Sequence, residues 1–289
     1  MKKYLKLIRV EQYIKNIFVF APLFFSNSFL NINLFEKTFV SFICFCLASS
    51  SIYILNDYFD IKEDQSHPIK SKRPLAAGTI KKTNAILLLF ISLSFSLFLA
   101  YAVNTSVFYI ILSYVMLNIF YTIILKHVAL LDINIIAIGF VLRIIVGSYA
   151  ADVSPSVWII IETYLLALFL AVAKRRTDII YHEAGLKVRK NINGYSLIFI
   201  DIILGILVSI IIICYIFYCI SPEIELQYHS NLIYLTIVFV FNGLIRYLQL
   251  AIVNQTTYSP TQIILKDRFI QISVLSWILL LAYLLYYKN

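Results

Sequence analysis

Nine apolar runs take up most of this 289-residue chain and constrain its fold more than any other feature. The residues are 61% hydrophobic and 13% charged, a balance typical of proteins embedded in a bilayer. Runs of this length predict transmembrane helices, and the polar segments between them are too short for a separate soluble domain. We therefore predict an all-α, polytopic bundle forming one domain over residues 1–289, with nine transmembrane helices at about 17–32, 36–56, 85–103, 105–125, 130–150, 156–173, 197–220, 231–252 and 270–287.

The basic residues predict the orientation of these spans. Most of the 24 Lys and Arg precede the first run or follow an even-numbered run, whereas only Lys37 and Lys288 lie in segments on the opposite side. By the positive-inside rule, the amino terminus, the two large polar segments and a polar cavity are cytoplasmic, and the carboxyl terminus is outside. The net charge of +9 then suits phosphate-bearing partners. It does not call for nucleic acid, because the cations lie between spans.

Residues 56–78, reading NDYFDIKEDQSHPIKSKRPLAAG, are the most polar stretch between two apolar runs. On a helix, one face of this stretch carries a cluster of polar and acidic side chains: Asn56, Asp57, Asp60, Glu63 and Asp64. Carboxylates this close repel one another unless a cation lies among them. Mg²⁺ is usually held by one or two carboxylates plus substrate phosphates, and Lys70 and Arg73 follow where they could bind phosphate oxygens. The alternative is a solvated acidic helix end beside a basic loop.

The spacing N-D-x-x-D-x-x-x-D resembles the first aspartate-rich motif of the UbiA-type intramembrane prenyltransferases. Its continuation, D-x-x-H-P-x-K-x-x-R-P-x-A-x-G, looks like that of the polyprenyl-phosphate phosphoribosyltransferase branch. The resemblance implies Mg²⁺-dependent transfer of 5-phosphoribose from phosphoribosyl pyrophosphate to a polyprenyl phosphate. It implies metal ligands at Asn56, Asp57, Asp60 and Asp64. It also implies a substrate contact at His67 and catalytic roles for Asp57, Asp60, Lys70 and Arg73.

Segments near both ends of the chain resemble the same branch. The start is similar to its R-P-x-Q-W-x-K-N pattern, with Val10 and Tyr13 at the proline and tryptophan positions, which implies substrate contacts at Lys15 and Asn16. Read without the resemblance, it is an interfacial amphipathic segment. The stretch SPTQIILKDR resembles a second pattern of the branch, and Lys266 within it could attract the lipid phosphate or serve as a positive-inside anchor.

The second large polar segment, residues 174–196, is predicted to supply the rest of the site. Helical spacing puts four side chains on one face: Lys174, Asp178, Tyr181 and His182. The segment resembles the branch's K-R-Y-A-E stretch, with Arg176 at the tyrosine position. This implies catalytic roles for Lys174 and Asp178 and substrate contacts for Arg175, Tyr181 and Arg189. The alternative is an ordinary helix-end ion pair of little energetic weight.

Two charged residues are predicted to lie inside the membrane. Arg143 and Glu162 fall at comparable depths, so they form either a structural ion pair or, for Arg143, a substrate contact. The third and fourth runs are nearly free of polar side chains and are interpreted as scaffold. Two other functions stay open: an aromatic prenyltransferase using a prenyl diphosphate donor, and a membrane transporter or lipid-binding protein.

Overall fold

The computed structural model describes residues 2–66, 70–185, 192, 194–228, 230–255 and 260–287. Across these ranges helices are the only regular secondary structure. The α-helices are α1 Lys2–Leu7, α2 Ala21–Phe25, α3 Ile32–Phe59, α4 Ile61–Gln65, α5 Lys82–Val103, α6 Thr105–Ile123, α7 Leu131–Ala150, α8 Val157–Glu183, α9 Leu197–Ile220, α10 Pro222–Tyr228, α11 Ile237–Leu248, α12 Pro260–Lys266 and α13 Arg268–Tyr286. Shorter-pitch 3₁₀ helices cover Val10–Phe20, Lys70–Lys72, Leu125–His127 and Ile233–Thr236, and a π-helix covers Gln249–Val253.

Eight helical stretches of the described chain are long and apolar enough to cross a membrane: α3, α5, α6, α7, α8, α9, Ile233–Val253 and α13. Helices satisfy their backbone polar groups internally, which is what a segment without access to water requires. The prediction of an all-α, polytopic membrane protein is confirmed. The first of the nine predicted spans, at 17–32, falls on the end of the first 3₁₀ helix and on α2. It is not among the eight.

The chain divides into two compact units, one running to Ile159 and the other comprising most residues from Ile160 onward. In the first unit, α3 packs on α5, α6 and α7 around buried apolar side chains such as Phe45 and Ile111. Small polar residues line the α3–α5 contact, where Ser51 and Ser92 are hydrogen-bonded at 2.7 Å. Small side chains let membrane helices approach closely, and their hydroxyls bond across the interface.

The amino-terminal 3₁₀ helix Val10–Phe20 packs directly on the backbone of α7. A Cβ atom added at Gly147 would lie 2.0 Å from the carbonyl oxygen of Val19, so the two backbones meet where only glycine fits. The preceding α1 is anchored by Leu7, which is fully buried beside Ile54. The amino-terminal segment is thus an integral part of the first unit.

The second unit has its own buried polar network among apolar helices. The indole Nε1 of Trp277 donates to the hydroxyl of Tyr215 at 2.7 Å, and that hydroxyl lies 2.7 Å from Thr236 Oγ1. These bonds join α13, α9 and the 3₁₀ helix that precedes α11. Hydrogen bonds of this kind hold helices together where burial from water provides no driving force between them.

Candidate active site

The acidic cluster is built at the junction of α3 and α4. Asp60 is the residue between the two helices, and it departs only slightly from helical geometry, with φ −89° and ψ 5°. Its amide donates to Asn56 O at 2.9 Å, and the amide of Asp64 donates to Asp60 O at 2.8 Å. Because these bonds preserve four-residue spacing, Asn56, Asp60 and Asp64 follow one another along one face. Glu63, predicted on the same face, is instead exposed.

Two arginines neutralise the most deeply buried carboxylates of the cluster. Asp57 and Asp64 are each only 2% exposed. Arg73 Nη1 lies 3.1 Å from Asp57 Oδ1 and 2.7 Å from Asp64 Oδ2, so one guanidinium bridges both acids. Arg9 also pairs with Asp57 Oδ1, and its guanidinium lies over the Tyr53 ring at 4.8 Å from the centroid. The structure therefore brings Arg73 to the acidic motif, and it adds Arg9, which the sequence pattern did not identify.

The second carboxylate oxygen of Asp57, Oδ2, is buried and has no hydrogen-bond partner. A bare buried carboxylate oxygen costs free energy unless something binds it, and such atoms are rare in folded proteins. Within the described residues no three acidic, histidine or cysteine side chains converge as a ready-made metal cage. Mg²⁺ does not need one, because it is held by one or two carboxylates together with substrate phosphates. The oxygen-rich donor set and the bare Asp57 oxygen fit that ion.

Residues of α6 and the turn after it face the acidic cluster from the other side. Thr122 Oγ1 lies 2.5 Å from Asn56 Oδ1, and Lys126 Nζ lies 2.5 Å from Asp60 Oδ1. The fourth run, interpreted as scaffold, thus also contacts the proposed site at its carboxyl end and just beyond it. The sequence carried a signal for this, because Asn118, Thr122 and Lys126 recur every four residues across the end of α6 and the turn after it.

Arg143 of α7 is satisfied by groups of its own unit. It is 5% exposed, its Nε donates to Asn16 Oδ1 at 2.8 Å, and its Nη1 donates to Gly139 O at 2.6 Å. Three rings surround the guanidinium within 5.2 Å of their centroids, namely Phe45, Tyr114 and Phe140. Cation–π contacts stabilise a desolvated cation without a carboxylate.

Within the first unit, the hydrogen-bond partner of Arg143 Nε is thus an amide, Asn16, from the first 3₁₀ helix. The two predicted alternatives for Arg143, an ion pair with Glu162 or a substrate contact, stay predictions. Glu162, in the second unit, keeps one buried oxygen, Oε1, without a hydrogen-bond partner. Lys15 is half-buried beside Asn16, and the nearby positive charges of Arg143 and Arg9 repel its ammonium group.

The basic segment lies on α8, which runs to Glu183 and so keeps the predicted helical spacing of Lys174, Asp178 and Tyr181. Asp178 pairs with Arg175, which is 1% exposed, whereas Lys174 is exposed. Arg176 is also buried and pairs with Asp201 Oδ1 at 2.7 Å. The two arginines thus turn inward within the second unit. Tyr181 is half-buried in the last turns of α8.

The remaining predicted site residues are distributed as follows. Lys70 is half-buried at the start of the 3₁₀ turn that precedes Arg73, and Lys266 is exposed at the end of α12. His67 and Arg189 lie outside the described residues. Their predicted contacts with substrate stay predictions.

Known proteins resemble this chain along nearly all of its length. The model of the UbiA prenyltransferase family matches residues 17–275. The chain is 31% identical, over 95% of its length and 89% of the relative, to a protein of Mycolicibacterium smegmatis named decaprenyl-phosphate phosphoribosyltransferase. A protein of the same name from Corynebacterium glutamicum is 26% identical over 98% of this chain and 86% of its own.

Solved structures share the fold. A UbiA homologue from Archaeoglobus fulgidus bound to DMAPP and Mg²⁺ superposes with a TM-score of 0.73 at 19% identity, covering 97% of this chain and 99% of that one. A structure described as digeranylgeranylglyceryl phosphate synthase gives a TM-score of 0.65 at 21% identity, covering 97% and 98%. At these identities the likeness concerns the fold alone.

Proposed function

This chain belongs to the UbiA prenyltransferase family, and from that premise we propose that it transfers 5-phosphoribose from phosphoribosyl pyrophosphate to a polyprenyl phosphate. The observation that carries the proposal is the bare, buried oxygen of Asp57 at the centre of an acidic cluster ringed by cations. A donor that brings a pyrophosphate and a metal ion would provide partners for both parts of the cluster. The metal ion would bind the Asp57 oxygen, and the phosphates would bind the surrounding cations.

The residues of the cluster divide into metal ligands and phosphate contacts. Mg²⁺ would be held by oxygens of Asn56, Asp57, Asp60 and Asp64. When bound, it supplies neutralisation of the charge that develops on the leaving pyrophosphate. Lys70, Arg73 and Lys126 donate to pyrophosphate oxygens, and Arg73 presents the fork that suits two oxygens at once.

The reaction exchanges one C1–oxygen bond for another. The bond from ribose C1 to pyrophosphate breaks, and a lipid phosphate oxygen forms the new bond through an oxocarbenium-like transition state, by analogy with glycoside chemistry. The lipid phosphate is already an anion, so no strong general base is required. Cations fixed before the reaction stabilise the leaving group without reorganising. We assign further proposed catalytic roles to Lys174 and Asp178, and the proposed substrate contacts to Lys15, Asn16, His67, Arg143, Arg175, Tyr181, Arg189 and Lys266.

The proposal places nine spans in the membrane as one domain, with the polar cavity on the cytoplasmic side. The eleven residues of the first 3₁₀ helix rise about 2.0 Å each and the five of α2 about 1.5 Å, giving roughly 30 Å, the thickness of the hydrocarbon core. The family match from 17 to 275 supports a single domain. Nine crossings put the amino terminus inside and the carboxyl terminus outside, and reporters active on one side only, fused to each end, test this.

The activity is tested with protein in nanodiscs, Mg²⁺, labelled phosphoribosyl pyrophosphate and a series of polyprenyl phosphates. We expect label in the lipid and release of pyrophosphate, both lost in Asp60→Ala and retained in Glu63→Gln, the exposed acid of the same turn. A phenolic acid and a prenyl diphosphate form the comparison arm. Prenylation of the phenol with no label in any lipid would establish an aromatic prenyltransferase instead.

A further inference from the structure

Two contacts join the end of α3 and the residue after it to the end of α6 and the turn after it. Asn56 contacts Thr122, and four residues further along each segment Asp60 contacts Lys126. The second contact is an ion pair between a proposed metal ligand and a cation. The first joins a proposed metal ligand to a neutral hydroxyl, which is 2% exposed and so has no access to bulk water.

Thr122 has one hydroxyl proton and two oxygens within reach of it. Asn118 O lies 2.7 Å from Thr122 Oγ1, and Asn56 Oδ1 lies 2.5 Å from it. A hydroxyl donates once, so one of the two oxygens is left facing another oxygen without a proton between them. A half-turn of the Asn56 amide removes this conflict, because the amide nitrogen then donates to Thr122 while Thr122 donates to Asn118.

We propose that Thr122 is a positioning residue that holds the Asn56 amide by its nitrogen, leaving the amide oxygen free to serve as a metal ligand. In the relay from Asn56 through Thr122 to Asn118, one amide N–H donates to the Thr122 hydroxyl and that hydroxyl donates to Asn118 O, which fixes the amide plane. The inference rests on the proposed metal role of Asn56. Side chains that orient ligands in this way are worth roughly 10- to 100-fold in metal affinity.

Mn²⁺ binding to the purified, substrate-free protein, followed by electron paramagnetic resonance, measures the effect without turnover. We expect Thr122→Val, which keeps the shape and removes the hydroxyl, to weaken Mn²⁺ binding about 10- to 100-fold. Thr122→Ser restores the hydroxyl and should bind within about threefold of wild type. Ser113→Ala is the matched control, because Ser113 makes the same backbone bond on the same helix, to Tyr109 O at 2.8 Å, but is exposed.

Turnover separates positioning from general damage. Saturating Mg²⁺ should return most of the kcat of Thr122→Val, since weakened affinity is offset by concentration, whereas a misfolded fraction is not. Thermal melting checks folding, and Thr122→Ala is measured in parallel in case valine disturbs the packing. Equal Mn²⁺ affinity in wild type, Thr122→Val and Thr122→Ala would overturn the inference alone. If Asp57→Asn binds Mn²⁺ with the same affinity as wild type, the proposed metal site is instead overturned.

Discussion

The Arg9–Asp57–Arg73 cluster of the first unit and the Arg176–Asp201 pair of the second unit differ in how many of their carboxylate oxygens have hydrogen-bond partners. In the second unit, Arg176 donates from Nε to Asp201 Oδ1 at 2.7 Å, from Nη2 to Oδ2 at 3.4 Å and from Nη1 to Ala251 O at 2.7 Å. Both oxygens of Asp201 accept. In the first unit, both arginines converge on one oxygen of Asp57, and the other oxygen is bare. The Arg176–Asp201 pair is complete as it stands, whereas the cluster around Asp57 needs a ligand.

The completed cluster also has a structural task. Ala251 lies in the π-helix Gln249–Val253, where the regular pattern of backbone hydrogen bonds is shifted by one residue. A guanidinium donor there satisfies a carbonyl inside an apolar segment, where an unpaired polar group is costly. An unusual backbone and a buried ion pair thus support each other. An irregular backbone beside a buried ion pair therefore does not by itself indicate which cluster is catalytic.

The largest expected effect follows from replacing Asp57. Asp57→Asn keeps the shape, removes the charge and should lower turnover about 1000-fold, since several kcal/mol of charge stabilisation are lost at about 1.4 kcal/mol per factor of ten. Asparagine at this position leaves Arg9 and Arg73 without a charged partner at residue 57, so we also expect a lower melting temperature, and turnover is compared per amount of folded protein. Label transfer and melting are measured on the same preparation, with Glu63→Gln as control. Near-normal turnover would mean that the cluster around Asp57 is only a buried ion pair, like Arg176–Asp201.

The complementary substitution in the second unit should damage folding and leave metal binding unchanged. Arg176→Leu strands Asp201, and breaking such a pair costs about 3 kcal/mol, the low end of the usual range because Asp201 keeps some solvent access. The double variant Arg176→Leu, Asp201→Leu should regain much of that loss. Unfolding in mixed micelles gives the free energies, and Mn²⁺ binding gives the second readout. A weakened Mn²⁺ signal in well-folded Arg176→Leu would erase the distinction between the clusters.

Sequence separation explains which parts of the site the sequence predicts. The α3–α4 acids lie within one local helical pattern, and Arg73 is 9 residues from Asp64, close enough for the motif to include it. Arg9 is 48 residues from Asp57, and Thr122 and Lys126 are each 66 residues from their partners. Contacts of that range depend on how helices pack, which periodicity within one helix does not specify.

The contacts that Arg143 makes within its own unit were not predicted, for a related reason. Depth in the membrane follows from position along a helix, but the direction in which a side chain points depends on helix rotation and packing. A search for charge partners also overlooks amides, carbonyls and rings, which together satisfy this arginine. The first predicted span, at 17–32, does not coincide with one long α-helix for a different reason: the chain forms a 3₁₀ helix up to Phe20, and only the short α2 follows it.

A third prediction concerns how the first unit brings Arg9 to Asp57. Gly147→Ala would push the amino-terminal 3₁₀ helix off α7, because the new Cβ would meet Val19 O at 2.0 Å. We expect a loss of about 1–3 kcal/mol in stability, as for other overpacked sites, and reduced turnover because Arg9 is displaced. Gly205→Ala in α9 is the matched control, since a Cβ there meets no atom within 4 Å. Equal behaviour of the two variants would argue that the amino-terminal segment does not help to assemble the cluster.

The smallest effect is expected at a further pair, Arg246 and Asp267, in which the arginine side chain is 30% exposed. Arg246 Nη2 lies 2.8 Å from Asp267 Oδ2, and this hydrogen bond, helped by the Ile270 amide, holds the pKa of Asp267 below its ordinary value. A carboxyl with a lowered pKa in the folded state stabilises that state above its unfolded pKa of about 3.9, and the contribution is lost as pH falls through the folded value.

Asp267→Asn isolates that pair because asparagine still caps α13, where Asp267 Oδ1 accepts from Ile270 N at 3.0 Å. At neutral pH the variant should be less stable than wild type by well under about 1 kcal/mol, as for other solvent-accessible pairs. The difference should shrink below about pH 4, where wild-type Asp267 also becomes neutral. Unfolding of both proteins across that range tests the sign. A difference that grows as pH falls would show that the carboxylate is unfavourable in the folded state. The exposure of an ion pair would then not predict how much that pair contributes to stability. Only bare buried atoms such as Asp57 Oδ2 would distinguish the site.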